Sequence, residues 1–359
     1  MDFAKDDQKF YTEAARVSSS VVRYPLDSAE GPNGEPLTTT AVSIGEDDAK
    51  TSIVISSGIH GVENHYWSKW MRTWLTEAAA LCQNNKNLRF VLAHGLNPFG
   101  AAYSLRSDAE NIDPNRNFVD FRNLPSTSEN YKALAASFSP TDLNAPTLAW
   151  SWGKLLKFGL ITHSIADFEQ ALCEGQYDFA DGLYYGGREP SQTRKTWDAI
   201  VTEHVLPSAP ESIWHIDLHT SVGPRGKMQL LVNAEPGGPV TQRVEAVNFP
   251  HPVRATSSAL ATLSGDITDY WPSFDLPKEC IVTPFAVEIG TVSTPLEILH
   301  AMMLRNTLFV RYNDRHPKAE KIVKKMERVF APEDNKWRTS ADREATALWK
   351  AFIRHVAPG

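Results

Sequence analysis

Two histidines and a glutamate in this sequence have the types and the spacing to hold a metal ion. His60 and Glu63 are three residues apart, so on the opening turn of a helix they would share one face. His219 directly follows an apolar run, 212–218, and the carboxyl end of a strand is where open α/β sheets place their sites. Histidine nitrogen and glutamate oxygen are both zinc ligands. Each piece alone is weak evidence, because a short pattern also arises by chance or caps a helix.

Two carboxylates accompany these candidate ligands. Glu288 lies within an otherwise apolar run, 280–289, where a charged group is costly unless it is paired or has a function. Asp217 is two residues from His219 and would point the same way along a strand. We therefore expect Asp217 to orient the His219 ring, as carboxylates commonly do beside metal-binding histidines.

Three further polar residues, Arg106, Asn115 and Arg116, follow turn residues in a segment too polar to be core. An arginine presents two donors in one plane, which matches a carboxylate in a way that lysine cannot reproduce. These residues are therefore candidates for binding an acidic group of a ligand. The competing interpretation of any single arginine is an ordinary surface ion pair.

The elements that must position these groups alternate between strands and helices. Strands are predicted at 51–57, 88–93, 212–218, 227–232 and 280–289, and helices at 62–81, 295–313, 319–331 and 341–357. Pro284 favours an edge position or a bulge for the last strand. The order predicts an α/β fold with a mixed, mostly parallel twisted sheet flanked by helices. We expect one domain over residues 1–359, with an inserted helical region at 119–211.

Composition excludes several classes of partner. Of 359 residues, 42% are hydrophobic and 22% charged, as in globular proteins with a substantial core. The net charge of −7 gives no electrostatic basis for binding nucleic acid or an anionic membrane. The N-terminus lacks the apolar run of a secretory signal, and Cys82, Cys173 and Cys280 are far apart, so we expect a cytoplasmic protein. The sequence does not predict an oligomeric state.

Taken in order, the motifs resemble those of the zinc carboxypeptidase (funnelin) superfamily, which includes the aspartoacylase and succinylglutamate desuccinylase branch. They are HGVE at 60–63, NPFG at 97–100, Arg106, DPNRNF at 113–118, DLHT at 217–220 and VEIGT at 287–291, and they span about residues 51 to 300. The resemblance implies zinc bound by His60, Glu63 and His219, a scissile carbonyl polarised by Arg106, a free substrate carboxylate held by Asn115 and Arg116, and Glu288 as general base.

The implied activity is zinc-dependent cleavage of an amide bond next to a free carboxylate, with zinc-bound water as nucleophile. Three protein ligands agree with this, since they leave a fourth position for water. The chain also departs from digestive carboxypeptidases: Val62 stands where they have an arginine, and no tyrosine precedes Ser264-Gly265, where 259–261 reads Ala-Leu-Ala. Tyr184, Tyr185 and Tyr270 are the candidates for that missing tyrosine.

Two substrates fit the implied chemistry: the C-terminal residue of a peptide, or an N-acyl amino acid. The departures weaken the first. The predicted C-terminal helices weaken the second, because the aspartoacylase branch has a β-rich C-terminal domain. A third hypothesis is a non-catalytic protein that binds a carboxylate-bearing ligand, although all three zinc ligands and the base are present. The chain therefore resembles a separate, less characterised subgroup.

Overall fold

The computed structural model describes residues 2–162, 164, 167–168, 171, 174–255, 264–292 and 294–358. Cys173 and the segment 259–261 lie outside them. The strands in this part of the chain are β1 (Val21–Glu30), β2 (Pro36–Gly45), β3 (Thr51–Ser57), β4 (Leu88–His94), β5 (Ser212–Ser221), β6 (Met228–Val232), β7 (Val253–Ala255) and β8 (Ile281–Gly290). The helices are α1 (Phe3–Val17), α2 (Asn64–Asn84), α3 (Pro98–Tyr103), α4 (Glu129–Phe138), α5 (Ala145–Lys157), α6 (Gln192–Ile200), α7 (Pro239–Ala246), α8 (Pro295–Tyr312), α9 (Ala319–Phe330) and α10 (Asn335–Val356).

The strands form a single mixed sheet in the order β1-β2-β4-β3-β5-β8-β6-β7. Its centre, β4-β3-β5-β8, is parallel throughout. Antiparallel pairs flank the centre, with β2 against β4 on one side and β6 against β8 on the other. The prediction of a mixed, mostly parallel sheet flanked by helices is confirmed.

The predicted elements agree with the observed ones to within three residues at each end, except that the last helix begins at Asn335, six residues before its predicted start. One inference about β8 also needs correction. Pro284 suggested an edge strand or a bulge, whereas β8 lies inside the sheet between β5 and β6. A proline is tolerated there because β6 pairs only with 286–289, so Pro284 lies beyond the end of that ladder.

Helices cover both faces of the sheet. On one face, α2 and α10 pack over β4, with Trp74 and Trp349 stacked 5.0 Å apart between ring centroids and Phe90 beneath them. On the other face, Trp197 of α6 and Trp271 pack against the sheet. Because the central strands are buried on both faces by apolar side chains, their sequences are continuous apolar runs.

A second group of helices lies beside the sheet. Helices α4, α5, α8 and α9 share a core of their own that includes Tyr131, Met303 and Phe330, and it reaches Val62. The predicted insertion, 119–211, thus contributes α4 and α5 to this group and α6 to the sheet. The division into one domain with an inserted region stays a prediction.

The N-terminal helix is joined to the sheet through one buried carboxylate. Asp7 of α1 accepts hydrogen bonds from Arg23 Nη2 at 2.9 Å and Thr38 Oγ1 at 2.6 Å, and lies 3.2 Å from His94 Nδ1. Burial opposes ionisation, but His94 and Thr38 lower the pKa of Asp7 below its usual value. No helix in the described ranges is both long and apolar enough to cross a bilayer.

Candidate metal centre

The candidate ligands lie at the carboxyl ends of neighbouring parallel strands. His60 and Glu63 belong to the turn that leaves β3, and His219 belongs to the last residues of β5. Glu288 is the register partner of His219 on β8. Since β3, β5 and β8 are consecutive in the sheet, their ends bring together residues more than 200 positions apart in sequence.

The turn at His60 is held in place by the NPFG segment. A Cβ added at Gly61 would lie 2.0 Å from the backbone carbon of Gly100, so only glycine fits at position 61. The Asn97 side chain accepts a hydrogen bond from Gly100 N at 2.8 Å and caps α3, and Val62 N donates to Leu105 O at 2.9 Å. The NPFG motif therefore supports the ligand turn and provides no ligand atom itself.

The three candidate ligands form a compact, buried group. Their ligand atoms lie within 4.8 Å of one another, and each residue is less than 5% exposed. His60 Nδ1 is 3.1 Å from His219 Nδ1 and 3.2 Å from Glu63 Oε1, and His219 Nδ1 is 3.3 Å from Glu63 Oε2. A tetrahedral zinc site with bonds near 2.05 Å places its ligand atoms about 3.3 Å apart. The spacing fits such an ion.

The orientation of the two histidine rings also favours a cation at this place. His60 Nε2 faces Asp113 Oδ1 at 3.2 Å, and His219 Nε2 faces Asp217 Oδ2 at 2.6 Å. Both carboxylates accept, so each neutral ring carries its proton on Nε2. In these neutral forms the two Nδ1 lone pairs and the Glu63 carboxylate face one another and repel. A metal ion among them would remove the repulsion, as a proton on His219 Nδ1 does without metal: burial opposes that proton, but Asp217 and Glu63 raise the pKa of His219 well above its usual value. Glu63 Oε1, a buried oxygen with no hydrogen-bond partner, faces the same place.

The two orienting carboxylates remain ionised despite their burial. Burial alone would raise the pKa of Asp113, but Arg106 and His60 hold it well below its usual value. For Asp217, burial is likewise outweighed by His219, and its pKa is lowered. Burial would also raise the pKa of Glu63, but His60 and His219 lower it to about 2. The contact expected between Asp217 and His219 is present.

Behind Asp217 runs a chain of hydrogen bonds whose direction is fixed. The Trp271 indole can only donate, and it donates to His215 Nδ1 at 3.0 Å. Burial lowers the pKa of His215 to about 4, so the ring is neutral and its proton lies on Nε2. Nε2 then donates to Ser56 Oγ at 2.9 Å, and Ser56 donates to Asp217 Oδ1 at 2.5 Å. This chain fixes Asp217, and through it the tautomer of His219.

Glu288 lies beside the ligand group without belonging to it. Its Oε2 accepts a hydrogen bond from Val222 N at 3.3 Å. Burial raises the pKa of Glu288 to about 8, and the charge of Glu63 adds to the effect while His219 and Arg106 oppose it. Gln229 of β6 is its register partner on the other side, and Gln229 Oε1 is buried without a hydrogen-bond partner. A carboxylate with so raised a pKa is suited to exchanging a proton near neutral pH.

The two arginines are held differently. Arg106 Nε donates to Asp113 Oδ2 at 2.9 Å, and its Nη1 lies 3.6 Å from Glu63 Oε1, so this residue is anchored at the ligand group. Arg116 is only 5% exposed, and no carboxylate of the described residues pairs with it. Its Nη1 donates to Asn115 O at 2.7 Å, and its Nε is buried without a partner. A buried guanidinium in this condition favours an acidic ligand.

Asn115 and the candidate tyrosines complete the surroundings. The Asn115 side chain makes two hydrogen bonds within the protein: Nδ2 donates to Asp266 Oδ2 at 2.8 Å, and Oδ1 accepts from Ile267 N at 2.9 Å. The Tyr184 ring centroid lies 5.7 Å from the Arg106 guanidinium and 6.0 Å from that of Arg116. Tyr184 is therefore the candidate tyrosine that borders the site. Tyr270 is held elsewhere, because Arg194 donates to its hydroxyl at 2.9 Å.

Residues 1–343 match the sequence profile of a family described as "Protein of unknown function (DUF2817)". The chain belongs to this family. No protein with a curated description matches it.

Solved structures similar to this DUF2817 chain are those of carboxypeptidases and related proteins, the superfamily that the sequence resembles. Thrombin activatable fibrinolysis inhibitor has 12% identity and a TM-score of 0.47, covering 96% of this chain and 74% of its own. Carboxypeptidase A from Helicoverpa armigera has 13% identity and a TM-score of 0.44, with coverages of 93% and 75%. Murein-tripeptide amidase MpaA from Escherichia coli O157 has 13% identity and a TM-score of 0.38, with coverages of 86% and 97%. At these values the function has to be inferred from the chain's own residues.

Several residues of the DUF2817 site were not identified from the sequence. Asp113 was read as part of the DPNRNF motif without a role, yet it orients His60 and anchors Arg106. Ser56 and His215 looked like ordinary strand residues, and Gln229 had no feature at all. The sequence does contain one indication of such residues, namely a polar residue at an inward position of a buried strand. Burial of a polar group without a hydrogen-bond partner costs free energy, so such a residue is expected to have a partner or a function.

Proposed function

We propose that this chain is a zinc-dependent hydrolase that cleaves an amide bond next to a free carboxylate. The observation that carries the proposal is the group of two Nδ1 lone pairs and an unsatisfied Glu63 oxygen, with Glu288 on the adjacent strand. Two histidines and one glutamate form a ligand set of catalytic zinc sites, which leave one position open. Zinc held by these residues would supply Lewis acidity, which lowers the pKa of a water molecule and polarises a carbonyl group.

Glu288 moves the proton in the proposed reaction. One oxygen of the ionised carboxylate takes a proton from the attacking water as the water oxygen bonds to the carbonyl carbon. When the carbon–nitrogen bond breaks, the same oxygen returns that proton to the leaving nitrogen, so the products are a carboxylic acid and an amine. The hydrogen bond from Val222 N holds Glu288 in place for both transfers.

The two arginines stabilise negative charge on different groups of the substrate. Arg106, anchored by Asp113, faces the ligand group, where negative charge develops on the carbonyl oxygen. Arg116 is buried without a carboxylate partner, so a free carboxylate of the substrate would complete its pairing. Asn115 has one amide proton beyond its contact with Asp266, which leaves it one donor for the same carboxylate.

The test is release of amino acid by zinc-loaded protein from two panels, N-blocked dipeptides and N-acyl amino acids. Glu288→Gln should lower kcat by about 100-fold or more, since general acid–base groups contribute on that scale, while the bound zinc stays unchanged. Glu279→Gln is the matched control: it precedes the same strand, is exposed, and should retain full activity. The panel that is hydrolysed identifies the substrate as a peptide or an N-acyl amino acid.

Two results would count against the proposal. Hydrolysis that survives in Glu288→Gln would remove Glu288 from the reaction. Stoichiometric zinc without release from either panel would favour the binding-protein hypothesis.

A further inference from the structure

A large groove lies between α8 and α9, and two of its lining residues follow the strand that carries Glu288. It encloses about 610 Å³, within the roughly 300–1,000 Å³ of typical ligand sites. Its near end is formed by Thr291 and Val292, which follow Glu288 by three and four residues, and by Arg225. Thr291 N donates to Ser221 O at 3.2 Å, next to Val222, the residue that holds Glu288. This hydrogen bond joins one end of the groove lining to the backbone segment that holds the proposed base.

One wall of this groove is strongly cationic. Lys318, Lys321, Lys325 and Arg328 line it, and their spacing of three, four and three residues places them on one side of α9. With Arg225, the lining has five cations and one carboxylate, Glu297, in a chain whose net charge is −7. Such a reversal of the overall charge concentrates anions at this surface.

Three of these cations are available to a ligand. Arg225 is paired with Asp334 at 2.6 Å, and Lys318 donates to Leu143 O at 2.7 Å. By contrast, Lys321, Lys325 and Arg328 have no carboxylate partner among the residues that the structure describes. Arg328 donates its Nε to Lys324 O at 3.2 Å and keeps its terminal nitrogens for a ligand.

Apolar residues lie between the charges. Leu143, Leu304, Ile322 and Val329 line the groove together with the cations. A chain that follows the groove could therefore bury its backbone and methylene groups while its acidic groups meet the cationic wall. The lining does not include Arg116, the residue assigned to the free carboxylate. The two ends of a substrate would thus be bound in separate places.

We propose that this basic groove binds the acyl part of the substrate and that this part is an acidic peptide. The assignment to the acyl part rests on the proposed function, because Arg116 would take the carboxylate on the amine side of the scissile bond. The acidic character rests on the groove alone.

The first experiment measures binding without turnover. Acetyl-tetraglutamate amide and acetyl-tetraglutamine amide, which lack a free terminal carboxylate, are titrated into the zinc-loaded protein by calorimetry at low ionic strength. We expect the acidic peptide to bind about tenfold more tightly, and the preference to shrink as salt is added. Equal binding of the two peptides would overturn the proposal.

Three variants test whether the preference for the acidic peptide arises in this groove. Replacing Lys321, Lys325 and Arg328 together by glutamine should abolish it, whereas Glu297→Gln should increase it. Lys324→Gln is the matched control, because Lys324 lies on the same helix but pairs with Glu320 outside the groove. A preference that persists in the triple variant, or that disappears in Lys324→Gln, would overturn the assignment to this groove.

The second experiment separates this proposal from the proposed function. The same two peptides, extended by alanine with a free carboxylate, are tested as substrates. A higher kcat/KM for the acidic peptide, about tenfold and lost in the triple variant, would support both proposals. Selective binding of the acidic amide without hydrolysis of either extended peptide would leave the groove as an anion site and refute its role in binding the acyl part of a peptide substrate, while the N-acyl amino acid panel tests the hydrolase itself. Hydrolysis of both at equal kcat/KM would keep the hydrolase and refute the acidic acyl part.

Discussion

Ser56→Ala removes the one hydroxyl that joins His215 to Asp217 behind the candidate metal ligand His219. In the wild type, Ser56 accepts from His215 Nε2 and donates to Asp217 Oδ1. Without it, Asp217 keeps only its contact with His219, and the carboxylate is free to rotate. The change therefore disturbs the orientation of a ligand that it does not touch.

The magnitude follows from burial. Asp217 and His215 are both fully buried, so alanine leaves one acceptor oxygen and one donor nitrogen unsatisfied. Each such group costs about 1–3 kcal/mol, so we expect the free energy of unfolding to fall by about 2–6 kcal/mol. Partners that orient metal-binding histidines typically contribute 10- to 100-fold in metal affinity, and we expect a loss of about that size.

The assay compares zinc affinity, measured by competition with a chromogenic chelator, with urea unfolding of the metal-free protein. Ser52→Ala is the matched control, because Ser52 lies on the same strand, is equally buried, and contacts only the Ser208 hydroxyl at 3.4 Å. Ser52→Ala should leave zinc affinity unchanged. Trp271→Phe removes the donor at the far end of the chain and should weaken zinc binding less than Ser56→Ala.

The reasoning would be refuted by a folded Ser56→Ala protein whose zinc dissociation constant lies within twofold of that of Ser52→Ala. In that case the hydrogen-bond chain would contribute to stability alone. Equal losses of zinc affinity in both serine variants would instead indicate a general loosening of β3.

Three further predictions concern the substrate, the N-terminal helix and the metal. Arg116→Met should lower the preference for free-carboxylate over amide-capped substrates by about 10- to 100-fold without lowering the free energy of unfolding, because the buried charge has no carboxylate partner. Steady-state kinetics measure the preference, and urea titration measures the free energy of unfolding. A variant that loses stability but keeps the preference would contradict this prediction. Asp7→Asn should lower the free energy of unfolding by about 2 kcal/mol at pH 7, measured by urea titration. That difference should shrink as the pH falls from about 3.8 through the lower pKa of folded Asp7, and a constant difference at all pH values would be evidence against the ion pair. Chelation should lower the melting temperature of the wild type but not of Glu63→Gln, and an equal shift in both would mean that metal binds elsewhere.

The central strands could be predicted from the sequence because burial on both faces makes them continuous apolar runs. Glycine or a polar motif ends each run, which places His60 and His219 at strand ends. By contrast, β1 and β2 were not predicted. Only the first half of β1, 21–25, pairs regularly with β2, and the register shifts after Pro25, while β2 is rich in threonine.

The contacts of the site were harder to predict because they depend on register between strands far apart in sequence. Ser56 meets Asp217 because these residues are register partners on β3 and β5. Gln229 meets Glu288 through the antiparallel pairing of β6 with β8. A sequence pattern predicts which face a residue occupies but not its neighbour on the next strand, so the orienting residues become visible only in the folded chain.

The polar groups of this site divide into those that the chain satisfies and those that it leaves for a ligand. Asp113, Asp217 and Ser56 are fully engaged with other side chains, so they fix geometry. Glu63 Oε1 and Arg116 Nε are buried and make no hydrogen bond among the residues that the structure describes, although burial of such atoms is costly. Such a cost is tolerated where ligand binding removes it. The Glu63 oxygen is suited to bind a cation, and the Arg116 nitrogen is suited to bind an anion. Glu63 and Arg116 carry opposite charges within one site, where Arg106 also lies near Glu63. This arrangement favours a site that binds a metal and an acidic substrate together over a site that binds only one of them.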